Sequence, residues 1–498
     1  MKKIYVVFAS LMATMLIAAM VTSVSAQRTV DVPTFNPGDP VFLNEVIAAD
    51  TNADGSRVDS NTVYVLENDG YYPCIATIVN RYPLKIVAAS MEGVRPRVYP
   101  SVGGGLESAR LFEPRDNITV MYCDLTGLDD LGQPTKNMFR VKGDNARIVI
   151  EDCFIDTDVQ APFRGDGDNC KFYIKNNIIT NLVGDYNNGR GLDTRGNSQD
   201  TIWIENNTYV NLGSRILRTN DEEWNYLLFN QNTVVNTGLR VLDVGKVNKA
   251  VITNNIWQDC GVIGMDTSDT FGIIWVDTIG DGTQQDILIS NNNYYIDTGY
   301  TKLIPDTALV VPLFNDMAQL FVDEKGTGNT MSYLHVDFLA GPAPTYNLTT
   351  EWFANPVTQE TLPNFDTVGQ ATWDFSYENS YLMTAGTEGQ QLGALRWTAA
   401  TSVRQMQTES EALKVFPMPV DDYANISFTL NAASDVEMTI YNIVGKKVAT
   451  VEYSHYPAGD HTITWNGTSD SGKILETGMY ILRMRAGKDV SLLKIMKR

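Results

Sequence analysis

A chain of 498 residues is longer than one ordinary domain, and 43% hydrophobic residues can supply a core, which excludes wholesale disorder. A formal charge of −21 excludes the basic footprint of a general nucleic-acid binder. Five cysteines without a CxxC pair exclude a zinc ribbon and a disulfide-dense scaffold, and three histidines leave little for histidine-based chemistry.

Residues 1–26 have the layout of a secretory signal. Lys2 and Lys3 precede an apolar run from Ile4 to Val21, and Val24 and Ala26 supply small side chains before Gln27. No later stretch is long and apolar enough to span a bilayer, so the mature chain is expected to be exported and soluble. Further on, Asp50, Asn52, Asp54 and Gly55 have the spacing of a calcium loop. Position twelve is Asn61, not glutamate, which favours a plain turn.

The middle of the chain repeats. VIEDCFID from Val149, YIKNNIIT from Tyr173, WIENNTYV from Trp203, LFNQNTVV from Leu228, VITNNIWQ from Val251 and LISNNNYY from Leu288 are versions of one another. They align Cys123, Cys153, Asn177, Asn207, Asn232, Asn255 and Asn292 in one column. A second polar column follows four residues later, at Thr157, Asn181, Asn211, Asn236 and Asp259. Short β-branched runs of period two, repeated at irregular intervals with asparagine at each corner, predict a solenoid of stacked parallel strands. The asparagines read as scaffold, bonding backbone groups of neighbouring coils. Cys123 and Cys153 should stack on adjacent coils, which leaves a disulfide open.

Each coil carries a further strand: FRVKGDN, FRGDGDN, LDTRGNS, LRTND and LDVGKVN. Their first polar positions are Arg140, Arg164, Asp193, Arg218 and Asp243; two residues on stand Lys142, Asp166, Arg195, Asn220 and Gly245. Basic residues gather here, whereas residues 251–400 hold 3 Lys plus Arg against 18 Asp plus Glu. One reading is an inter-coil ion-pair ladder, because Arg164, Asp193, Arg218 and Asp243 alternate in sign. The other is a cleft for an acidic sugar; the two are compatible.

The outward residues of the repeat strand form an apolar column: Thr119, Val149, Tyr173, Trp203, Leu228, Val251 and Leu288. Residues 301–400 are expected to cover it, with a sugar-stacking platform at Tyr173 and Trp203 as the alternative. After Trp397, residues 398–412 are polar and aperiodic, a linker. Residues 413–498 then alternate in short strands separated by turn glycines, which favours a small antiparallel sandwich. VFPMPVDD from Val415, YNIVGKKV, ETGMYILRM and the terminal SLLKIMKR resemble the C-terminal sorting domain of type IX secretion cargo. That likeness implies passage through the type IX apparatus and a place outside the cell or anchored at its surface. Phe416 and Met418 depart from the commonest start of that domain.

The repeats, with VYVLENDGYYP and LKIVAAS before them and TAGTEGQQLGALRW after, resemble the right-handed parallel β-helix of the pectate-lyase-like superfamily, in its uncharacterised type IX-secreted branch. The expected organisation is a signal peptide at 1–26, a β-helix with an N-terminal cap and C-terminal covering segment at 27–397, a linker at 398–412 and the sorting domain at 413–498. A lyase of this kind neutralises a uronate carboxylate and places a base at C5. Asp166, Asp168 and Asp193 are the candidate calcium ligands, Lys142, Arg195 and Arg218 the candidate bases, and Arg140, Arg164, Tyr173 and Trp203 the candidate substrate contacts. No histidine precedes His335, which excludes the histidine-dependent hydrolases of the superfamily, and the arginine-proline signature of the pectate lyases is not recognisable. The expectation is a monomeric, secreted surface protein that engages polysaccharide and not nucleic acid. It acts either as a lyase on a uronate glycan or as a non-catalytic glycan-binding or adhesive protein; a purely structural rod is the third reading.

Overall fold

The computed structural model describes residues 27–397, except 102–109, 185–187, 195, 283, 328–329 and 356–372, and residues 413–497, except 417–419, 421–422, 431–432, 443–446, 471, 477 and 487–488. The leader at 1–26 and the linker at 398–412 lie outside the described residues. The chain divides into two compact units, Met1–Arg396 and Trp397–Arg498.

In the first unit, short strands stack coil upon coil with each strand parallel to its copy. One row of nine strands runs from Tyr71–Cys74 to Asn293–Tyr295. The other two rows join into a single 17-stranded sheet, because Leu242–Thr253 is continuous and pairs in both. The fold is the all-β parallel β-helix that the repeats predict. In-register pairing places like against like. Ile148, Phe172, Ile202, Leu227, Ala250 and Ile287 form one buried inward column, and Phe112, Phe139 and Phe163 stack with centroids 4.7 and 5.5 Å apart. Burying each isoleucine, leucine or phenylalanine of these columns stabilises the fold by about 1.5–3 kcal/mol.

The corners explain the asparagines. Asp152, Asn176, Asn206, Gln231, Asn254 and Asn291 hold positive φ, between 52° and 62°, a region asparagine tolerates better than most residues. The next residue points inward and bonds along the stack. Asn207 Nδ2 donates to the Ile174 carbonyl at 2.8 Å, and its Oδ1 accepts the Asn177 amide N–H at 2.9 Å. Asn232 and Asn255 repeat the pattern, so buried backbone groups at the corner are satisfied. The second column, from Thr157 to Asp259, also holds positive φ. Cys123 and Cys153 occupy the start of the first column as free, buried thiols.

Helix Asp316–Lys325, capped by Asn315 and stopped by Gly326 at φ 63°, adds Ala318, Phe321 and Val322 to the core. Among the described residues beyond it, several bonds reach the nine-stranded row and its corner; residues 356–372 of the expected covering segment lie outside the described residues. Val336 N donates to Gln258 Oε1 at 2.8 Å, Thr387 N to Asn254 Oδ1 at 2.8 Å, and Ala394 N to Thr233 Oγ1 at 2.9 Å. Ile256 of that row is the apolar seat: Val336, Tyr377, Leu382 and Leu392 pack on it. The second unit contains a three-stranded and a four-stranded antiparallel sheet around a core of Ile426, Phe428, Val436, Ile440 and Leu482. Among the described residues, no helix is long and apolar enough to cross a membrane.

Two measurements check this account. Asn207→Ala should destabilise the first unit by about 2–3 kcal/mol, read from the denaturant midpoint, because it strands buried groups on both neighbouring coils. Asp259 is pushed up to about 6 by burial, against the Asp297 N–H that favours its charge. A carboxyl raised in the folded state is better protonated there, so stability should fall as pH rises from about 4 through 6 and stay flat above. Asp259→Asn should remove that slope and raise the melting temperature at neutral pH; an unchanged slope contradicts the assignment.

Candidate functional site

The charged strand row builds the site. Register places Arg140 beside Arg164, Arg164 beside Asp193, and Asp193 beside Arg218, as the alignment predicts. The pairing of charges follows a different rule. Arg140 and Arg164, two like charges in register, share Asp166: Arg140 Nε lies 2.6 Å from Asp166 Oδ2 and Arg164 Nε 2.7 Å from Oδ1. Burial opposes ionisation of Asp166, but the bonds from Arg140 and Arg164 hold its carboxyl below the usual range. Lys142 Nζ sits 3.3 Å from Glu113, which also takes Arg110 and Arg115.

Arginines missed by the sequence reading complete the row. Arg190 pairs with Asp193 at 2.5 Å, and Arg218 reaches the same carboxylate at 3.2 Å. Arg215 and Arg240 both bond Asp243. Four guanidiniums thus converge on two carboxylates, both buried. Arg215 is pulled below the ordinary arginine value by burial and by the like charge of Arg240, with Asp243 acting in the other direction. The signal was in the sequence as RGLD, RILR and RVLD, where Arg190, Arg215 and Arg240 stand three residues before Asp193, Arg218 and Asp243.

Arg215, Arg218, Arg240 and Asp243 of this cluster line an open cleft of about 1200 Å³. Phe271, Trp275, Trp352 and Phe353 supply apolar walls, and Asp221, Asp266 and Asp269 stand among the lining groups. Arg240 lies 3.6 Å over the Phe271 ring, which in turn meets Trp275 edge-on at 5.4 Å. The helix Tyr346–Ala354 brings Trp352 and Phe353 to the wall. No local repeat signals those two, because they come from a segment far along the chain.

The remaining candidates do not assemble into one centre. Arg140 and Arg218 stand three rungs apart, roughly 14 Å at ordinary strand spacing. Arg195 lies outside the described residues. Asp168 is exposed at a corner, where its Oδ1 accepts the Ser198 N–H at 3.0 Å. Asp166 and Asp193 are committed to arginines, so Asp166, Asp168 and Asp193 do not fit a calcium ion. Among the described residues no group of three or more His, Cys, Asp or Glu is placed to hold a metal. The loop at Asp50 is a turn: its carboxylate takes Arg28 at 2.6 Å and the Tyr64 hydroxyl at 2.8 Å. Tyr173 and Trp203 pair in register on the outer face of another row, with ring centroids 6.3 Å apart.

Comparison with known proteins adds a partial match. Residues 419–489 match the FlgD Ig-like domain family. No curated protein matches the chain. Two solved structures share short stretches with it. Dimeric latent PorU from Porphyromonas gingivalis is 21% identical over 17% of this chain and 9% of its own, with a TM-score of 0.16. PorZ, an essential bacterial surface component of the type-IX secretion system of the same organism, is 13% identical over 23% of this chain and 14% of its own, with a TM-score of 0.15. The chain therefore spans well under two thirds of either protein, and overlaps of this size carry nothing about fold or function.

The Asp166 assignment has a pH signature. A carboxyl lowered in the folded state contributes stability above its unfolded value, near 4, that is lost as pH falls through the folded one. Asp166→Asn should therefore cost about 1–3 kcal/mol at pH 7 and progressively less below pH 4, measured by denaturant unfolding across pH. A cost independent of pH contradicts the assignment.

Proposed function

We propose that this chain is an exported surface β-helix that binds an acidic polysaccharide in the arginine-floored cleft and does not cleave it. The observation that carries the reading is the gathering of Arg215, Arg218 and Arg240 with the aromatic Phe271, Trp275, Trp352 and Phe353 along one open cleft. Guanidinium offers a planar, permanently charged fork suited to carboxylates, and aromatic faces suit the apolar faces of sugar rings. Binding is favoured over elimination because neither described candidate base is a solitary cation. Lys142 is held by Glu113 and Arg218 by Asp193, on coils too far apart to act together. Export and surface display, with the type IX machinery as partner, are supported by the leader sequence and by the tail's likeness to sorting domains.

The test is retardation of the purified full-length protein in gels containing polygalacturonate, with ultraviolet absorbance of the mixture followed in parallel. Binding should be salt-sensitive, about tenfold weaker in Arg218→Gln/Arg240→Gln, and accompanied by flat absorbance. Absence of retardation would falsify the binding reading. Rising absorbance from an unsaturated product would show cleavage and overturn the non-catalytic part.

A further inference from the structure

The outward column on the strands from Arg147–Glu151 to Asp286–Ser290 lies on a different row from the one that Val336 and Ala394 bond. Three of its aromatic neighbours form a continuous strip. Tyr173 and Trp203 are register partners, and Trp203 also meets Tyr226 with centroids 6.3 Å apart. All three rings are half-buried. The Trp203 indole is tethered at its edge, where Nε1 donates to Glu205 Oε2 at 2.9 Å. Edge tethering fixes the ring and leaves its face for stacking.

The charges around the strip are sorted. Lys171 pairs with Asp200, and Lys249 with Asp286. The two cations that lie on the rings have no such partner. Arg147 stands 4.7 Å over Tyr173, and Lys175 stands 4.6 Å over Trp203 and 5.9 Å over Tyr173. Neither forms an ion pair among the described residues; Lys175 stands in register between Glu151 and Glu205, whereas the register partner of Arg147 is Lys171. A guanidinium held on an aromatic face and not on an acid retains its capacity for an incoming anion.

We infer that Tyr173, Trp203 and Tyr226, with Arg147 and Lys175, form a second site, which stacks an anionic polysaccharide strand against the outer face of the sheet. The occupant follows from the combination. Rings one coil apart match successive sugar units running along the helix axis, and Arg147, with Lys175 beside it, matches carboxylate or sulfate groups on that strand. A purely apolar partner would leave Arg147 uncompensated. None of these residues lines the arginine cleft, so the site stands whether or not the cleft binds glycan.

The experiment compares retardation by polygalacturonate, dextran sulfate and neutral dextran for the full-length protein and three variants. Tyr173→Ala/Trp203→Ala should bind the anionic polymers about tenfold more weakly, and Arg147→Gln/Lys175→Gln should weaken binding and flatten its salt dependence. Whichever of the two anionic polymers binds more tightly identifies carboxylate or sulfate as the preferred group. Wild-type affinity in Tyr173→Ala/Trp203→Ala overturns the site, and equal binding of neutral dextran overturns its anionic character. Arg218→Gln separates the two sites: if it binds normally while the aromatic variant does not, the cleft reading fails and this one stands. Should the aromatic variant fail to fold, acylation of the wild-type protein decides. Bound polymer should shield Lys175 and spare Lys171; equal labelling of Lys175 with and without polymer overturns the proposal.

Discussion

Parallel pairing of each strand with its own copy, one rung away, is the constraint from which the rest of the molecule follows. It lets aliphatic and aromatic residues stack into columns without further design. It is unforgiving of polar groups, because a charge or an amide placed in one coil meets the same group in the next at about 4.8 Å. Asparagine answers this at the corners, since its amide both donates and accepts, so a column such as Asn177, Asn207, Asn232 and Asn255 satisfies itself. Arginine and aspartate cannot do so alone. The chain instead sets Asp166 between Arg140 and Arg164, and Asp193 beside Arg190 and Arg218.

The same sharing extends to the candidate cleft. Arg190, Arg215 and Arg240 recur three residues before the main charged column; Asp193 takes Arg190 and Arg218, and Asp243 takes Arg215 and Arg240. Burial penalises each of these charges and neighbouring cations raise the penalty, and Arg215 is lowered chiefly by burial.

Much of the fold was legible from the chain. The corner column gave the register, and the register gave the order Arg140, Arg164, Asp193, Arg218 in the third strand. Pairwise chemistry was less legible. Alternation of sign along the column suggested that each residue would meet its vertical neighbour, whereas Asp193 and Asp243 also bond arginines of their own coil, three residues back. Asp166, read as a calcium ligand, has both oxygens occupied by arginines, a fact set by side-chain reach and invisible to spacing. Loops between coils vary in length and sequence, so Phe271, Trp275, Trp352 and Phe353 reach the cleft with no periodic trace. The seat of the late segment was also not legible: Tyr377 and Leu392 pack with Ile256, a residue hidden within a repeat corner.

The most direct measurement is a crystal structure of the protein soaked with an oligogalacturonate at low ionic strength. The account expects a sugar carboxylate within hydrogen-bonding distance of Arg218 or Arg240, with a ring lying against Trp275 or Phe271. A cleft empty of oligosaccharide under those conditions would contradict it.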